Sequence, residues 1–170
     1  MPILDGSAAP WLALLEPRPQ GGVRPVVRLP HAVRVADGPG FVEAVPAPAF
    51  SARVEVVFPG LGPMVAADVQ AAADARTFGF LKDAEGLRAS GRALGASLET
   101  TVVFDDHGRC LNPGGLRGAD EPARHKLLDL LGDLALLGGT LAARVTAHRA
   151  GHALHHAFAR AVEAVATSTP

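Results

Sequence analysis

Residues 121–134 read EPARHKLLDLLGDL. Leu127, Leu128, Leu130 and Leu131 supply an apolar surface that demands burial, so the stretch predicts a helix lying on another layer. His125, Asp129 and Asp133 recur at every fourth position, which stacks three polar groups on one helical face. That stripe has two readings, part of a metal site or a hydrogen-bonded edge in solvent. Imidazole and carboxylate are both good zinc ligands and converge at this spacing. A catalytic zinc, however, usually takes three protein ligands and an open position, so His125 and Asp129 alone make an incomplete site.

Working outward, Gly138-Gly139 supplies a stop for the helix. LAARVTA (141–147) predicts a strand, and HALHHAFARAVEAV (152–165) a helix with Leu154, Phe158 and Val162 along its apolar face. Upstream, FSARVEVVF (50–58) alternates Ala52, Val54, Val56 and Phe58 with Arg53, Glu55 and Val57, the pattern of a half-buried strand. TTVVF (100–104) predicts another strand, ended by the turn residues DDHG. VAADVQAAADAR (65–76) and LKDAEGLRAS (81–90) read as helices. SAAPWLALLE (7–16) reads as a short helix with Ser7 as N-cap and Pro10 in its first turn, and PRPQGGVRP (17–25) as a linker. Interleaved strands and helices predict a two-layer sandwich, α/β or α+β.

Composition narrows the function. Of 170 residues, 48% are hydrophobic, enough for a substantial core. A net charge of -1 argues against a strongly basic nucleic-acid binder, and seven Phe, one Trp and no Tyr offer few stacking platforms for single strands. The single Cys110 excludes an internal disulfide framework and a cysteine-rich zinc site. The apolar runs are too short or too broken by glycine for stable membrane insertion, and no basic leader precedes them, so a cytoplasmic setting is expected.

Two further stretches stand out. AHRAGHALHH (147–156) carries His148, His152, His155 and His156. His148, His152 and His156 have the spacing of a helical metal stripe, but Gly151 argues against one helix through all three and favours a solvated face. RTFGF (76–80) sets Thr77 beside two aromatics and a glycine, a pattern that core packing around a turn would also produce.

ILDGSAAP (3–10), RTFGF (76–80), LNPGGLR (111–117), RHKLLDLLGDL (124–134) and AGHALHH (150–156) occur together in this order. In that order they resemble the UDP-3-O-acyl-N-acetylglucosamine deacetylases, zinc amidases that commit a nucleotide sugar to lipid A synthesis. The resemblance implies an α+β two-layer sandwich of a sheet packed on helices, and zinc as cofactor, with His125 and Asp129 as metal ligands. It makes His152 the cation that stabilises the oxyanion and protonates the leaving amine, with Asp133 orienting and charging it. Thr77 would help bind the oxyanion or the zinc-bound species, Lys126 would lie at the active site near the substrate, and Phe78 would lie near the sugar. Phe80 would belong to the acyl-chain passage, behind which fall the small residues Ala84, Ala93, Gly95 and Thr101. Zinc in such a site polarises the amide carbonyl and acidifies its water, and nearby donors stabilise the developing negative oxygen.

The chain departs from the family in one respect. The family carries a Glu-His pair in an earlier domain, giving a third zinc ligand and a general base, and no Glu-His pair occurs among these 170 residues. Residues 1–20 are therefore expected to be a remnant of the first domain and 21–170 the second deacetylase domain. Apolar side chains such as Trp11 and Leu15 would then lack a partner to pack against. The alternatives are a non-catalytic module binding a nucleotide sugar or acyl chain, and a partner completed by a separate first domain.

Overall fold

The alternation in residues 50–58 becomes a strand whose Ala52, Val54 and Val56 are buried and whose Arg53 faces outward. The computed structural model describes residues 3–15, 24–58 and 60–169, so most of the expected linker at 17–25, and residues 1, 2 and 16–20, lie outside the described residues. In chain order the elements begin with helix α1 (Ala9–Leu14) and strands β1 (Val26–Arg28), β2 (Val33–Asp37), β3 (Gly40–Pro46), β4 (Ser51–Phe58), β5 (Gly62–Ala66) and β6 (Phe78–Phe80). Then come α2 (Ala84–Ala89), β7 (Val102–Phe104), α3 (Glu121–Leu134), β8 (Thr140–Leu141), β9 (Ala143–His148), α4 (His152–Val165) and β10 (Thr167–Thr169).

The main sheet has the order β2-β3-β9-β4-β5. Its pairs are antiparallel except β4 with β9, where Ala52 pairs with Val145 and Val54 with Ala147 in parallel register. One face buries Val42, Ala44, Val54, Val56, Val145 and Ala147. Against it lie α3, through Leu127, Leu130 and Leu134, and α4, through Phe158 and Val162. This is the expected α+β two-layer arrangement. Leu128 and Leu131 are only partly buried at the rim of the core. No helix among the described residues is long and apolar enough to cross a membrane.

Two small units flank the sandwich. β1 pairs in parallel with β8 and antiparallel with β10. β6 pairs in parallel with β7, which requires a crossover, and α2 supplies it.

The helix expected over 65–76 is corrected. Val65 and Ala66 belong to β5, and only Ala71–Asp74 winds, as a single 3-10 turn. Asp68 Oδ1 accepts from the Gln70 and Ala71 amides, starting a tight turn. The carbonyls that an α-helix would need are taken by distant groups. Ala71 O accepts from Arg124, Ala73 O from the Ala8 amide, and Asp74 O from Arg117. Alanine's helix propensity is a weak preference beside such tertiary bonds. The N-terminal helix is likewise shorter than expected and is capped at Ala8, because the Ser7 hydroxyl and amide are both spent on Asp5 Oδ1. It buries none of its residues, leaving Leu12, Leu14 and Leu15 exposed, with Trp11 half-buried.

A buried ion pair fixes where the 76–80 stretch meets α3. Glu121, fully buried, accepts from the Arg76 backbone amide at 3.1 Å, from Arg76 Nε at 2.9 Å and from the Arg117 amide at 2.6 Å. Burial would raise the Glu121 pKa, but these hydrogen bonds outweigh it and hold the carboxyl below its ordinary value. Three residues on, Arg124 bridges Asp120 and Asp74.

Candidate functional site

Because α3 and α4 pack side by side, the polar stripe of α3 faces the first turns of α4. Gly151 is the extended N-cap of α4 and His152 its first residue, while His148 ends β9 and pairs with Glu55 at 3.3 Å. The stripe of His148, His152 and His156 along one helix therefore does not exist. The histidines of α4 converge instead on Asp133. His152 Nδ1 lies 2.7 Å and His155 Nδ1 2.8 Å from Asp133 Oδ2, and His156 Nε2 lies 3.1 Å from Oδ1. Burial would raise the Asp133 pKa, yet the bonds from His152, His155 and His156 prevail and keep the carboxyl below its ordinary value.

One turn back along α3, His125 Nε2 lies 3.4 Å from Asp129 Oδ1. Lys126 Nζ donates to Asp129 Oδ2 at 2.7 Å, and His152 Nε2 stands 3.8 Å from that oxygen. His152 thus spans two carboxylates, with Nδ1 on Asp133 and Nε2 toward Asp129. His125 is mostly buried and its pKa is lowered by that burial, against the opposing pull of Asp129 and the Ala75 carbonyl. A neutral imidazole keeps the lone pair that a metal needs. His125 Nδ1 is buried and meets no hydrogen-bond geometry among the described residues, so the Ala75 carbonyl acts on it only as a nearby dipole.

Two donor sets could hold a metal: the pair His125 and Asp129, and the trio Asp133, His152 and His155, whose donor atoms lie within 4.8 Å of one another. Ligands at zinc distances of about 2.0–2.1 Å in a tetrahedron stand about 3.3–3.4 Å apart. The His125–Asp129 separation matches that edge. In the trio, 2.7 and 2.8 Å are hydrogen-bond distances, shorter than a ligand–ligand edge. The pair fits zinc better, and the trio is better described as a hydrogen-bonded hub.

Aromatic side chains wall the centre. Phe78 stands edge-on to His125 with centroids 6.2 Å apart and edge-on to Phe58 at 4.9 Å, and Phe80 lies 6.3 Å from Phe58. Thr77 is exposed just before Phe78, and its carbonyl accepts from the Val102 amide. Beyond Phe80, Ala84 is half-buried, Ala93 and Gly95 are exposed, and Thr101 is buried with its carbonyl bonded to Asn112. Leu81, Leu94 and Leu98 are exposed on the same unit.

A cavity of about 450 Å³ opens beside the centre, lined by Val56, Phe58, Phe78, Lys126, Arg149 and Gly151. Arg149 has a left-handed backbone, φ 47°, at the turn from β9 to α4, and its amide donates to Glu55 O at 2.9 Å. Gly40 lets β3 pass close by, since a Cβ there would come within 2.8 Å of the Arg149 carbonyl. Sequence reasoning missed Arg149 and Phe58 as site residues, and it gave no role to His155, which is 1% exposed. The i, i+3, i+4 spacing of His152, His155 and His156 was the available signal.

The fold and site define a two-layer α+β domain with a helix-borne histidine–carboxylate centre. The profile of the UDP-3-O-acyl N-acetylglycosamine deacetylase family matches residues 1–164, and the chain belongs to that family. It is 43% identical to a protein named UDP-3-O-acyl-N-acetylglucosamine deacetylase from Thermosynechococcus vestitus, over 95% of this chain and 60% of the relative. Proteins of the same name from Shewanella sediminis and Pasteurella multocida are each 39% identical, over 95% of this chain and 57% of their own length. The chain thus spans a little over half the length of these curated relatives.

Proposed function

We propose that this chain supplies part of a zinc-dependent centre that deacetylates UDP-3-O-acyl-N-acetylglucosamine in lipid A biosynthesis. The observation that carries the reading is the His125–Asp129 pair at 3.4 Å, with His152 facing it and Asp133 behind His152. His125 and Asp129 would hold zinc, which when bound polarises the amide carbonyl and acidifies water. His152 carries the proton for the departing amine at Nε2, and Asp133 orients it through Nδ1. Thr77 offers a hydroxyl to the developing oxyanion. Lys126 and Arg149, both lining the cavity, suit the diphosphate of a nucleotide sugar, and Phe78 and Phe58 suit the sugar's apolar face. Phe80 and the exposed Leu81, Leu94 and Leu98 suit an acyl chain.

In this reading residues 21–170 form the second deacetylase domain and residues 1–20 belong to the first. The family's third ligand and general base then come from a Glu-His-bearing domain outside these 170 residues, the site works in the cytoplasm, and the chain turns over poorly alone. Chelator competition tests the metal assignment. Asp129→Ala should weaken zinc binding by about a hundredfold or more, while His152→Ala should leave it within a few-fold. Adding a Glu-His-bearing domain should bring turnover, which His152→Ala then abolishes. Zinc affinity indifferent to Asp129 would overturn the assignment, and full deacetylation by residues 1–170 alone would refute the divided site.

A further inference from the structure

We propose that His155 is a positioning residue that fixes the Asp133 carboxylate and, through it, the imidazole of His152. Asp133 has three imidazole partners, and only one of them is itself held by packing. The side chains of His152 and His156 are 60% and 45% exposed, whereas that of His155 is 1% exposed. A carboxylate that answered only to His152 and His156 would turn with two solvent-exposed rings. His155 anchors Oδ2 from the buried side at 2.8 Å, and His152 meets the same oxygen from the exposed side at 2.7 Å.

The protonation pattern follows from the partners. Burial, opposed by the Asp133 bond, lowers the His155 pKa, so this ring is neutral near neutral pH. A carboxylate held ionised can only accept, so the single proton of neutral His155 sits on Nδ1. Asp133 Oδ2 then has one acceptor position filled from within the core, and its remaining direction is left for His152 Nδ1–H. That bond makes Nε2 the nitrogen that faces Asp129. A histidine serving only to fill the core would leave the tautomer of His152 unaffected by its removal.

The importance of this device for turnover rests on the reading of His152 as the acid, but its test does not. In the ¹⁵N-labelled chain, recorded on the basic side of the histidine titrations, long-range ¹H–¹⁵N correlations report which nitrogen of His152 carries the proton. The expected result is Nδ1–H in the parent and a mixture of tautomers in His155→Phe, which keeps a buried ring but donates nothing. His155→Asn should restore Nδ1–H, because the Asn amide nitrogen lies where imidazole has Nδ1. His155→Gln, one methylene longer, should not. If the Phe variant does not fold, the Asn and Gln pair still decides the matter. Nδ1–H retained in His155→Phe, or identical His152 spectra in the Asn and Gln variants, overturns the proposal. In the complemented enzyme kcat should fall about tenfold or more in His155→Phe with KM unchanged, and recover in His155→Asn. A changed tautomer with unchanged kcat would instead sink the role given to His152.

Discussion

The two ends of α3 carry polar clusters of opposite character. At the N-terminal end Glu121 is wholly buried, and Arg76 and the Arg117 amide saturate its oxygens. Two turns later Asp129 and Asp133 are partly exposed, and the solvent-exposed ring of His152 lies against both of them. A buried network with every group satisfied can lock segments together but has nothing to offer a ligand. A half-exposed one has lone pairs and protons to exchange. The first cluster holds the loop that carries Thr77 and Phe78 against α3, and the second has the means for chemistry.

Substitutions should separate the two clusters. The largest effect is expected from Glu121→Gln, which leaves the Arg76 guanidinium buried without its counter-charge. It should cost about 3–5 kcal/mol of stability in denaturant titration. A loss near zero would mean that the pair does not hold the loop.

Acid should act on both clusters, with a smaller effect. His155 is held below the ordinary histidine value of 6.5, so its contribution is complete above that pH. The contribution is lost as pH falls, because the unfolded chain takes up the proton first. Glu121 and Asp133 are held below 4.5 and 3.8, and their contributions vanish only as pH falls through those lower folded values. Unfolding midpoints measured between about pH 8 and about pH 3 should therefore fall in two stages, and His155→Asn should shrink the upper one, in which the buried His125 also shares. A midpoint that rises on acidification would contradict both assignments.

The smallest effect should come from a third kind of ion pair. Arg34 and Glu43 sit on the open face of the sheet at 3.5 Å, with Arg34 also over the Phe41 ring. Arg34→Ala should cost under about 1 kcal/mol, and a larger loss by the same denaturant assay would show that exposure is a poor guide here.

The contrast also explains what could be read beforehand. The 121–134 and 152–165 helices and the 50–58 strand follow from apolar period alone, since each buries its own repeating face. The 65–76 segment could not be read that way, because Arg124, Arg117 and Ala8 take its carbonyls from outside. The i, i+4 stripe of α3 was visible as a pattern. The burial of His155 was not, because it depends on how α4 seats against α3. Arg149 was hidden for a similar reason: its place in the cavity is set by a left-handed turn and by the close pass of Gly40.

The parallel pairing of β4 with β9 also bears on how the chain reaches its folded state. β9 is the middle strand of the main sheet, and both its partners lie far upstream in sequence. Until it arrives, β2–β3 and β4–β5 are separate hairpins, each presenting an unpaired edge where the other should be joined. During synthesis those edges stay open until Ala143–His148 have emerged, and closing so long a loop slows the step. The arrival of β9 also delivers α4 to α3, so the histidine cluster assembles in the same event that seals the sheet. Chains interrupted before that point are expected to join one another along their edges.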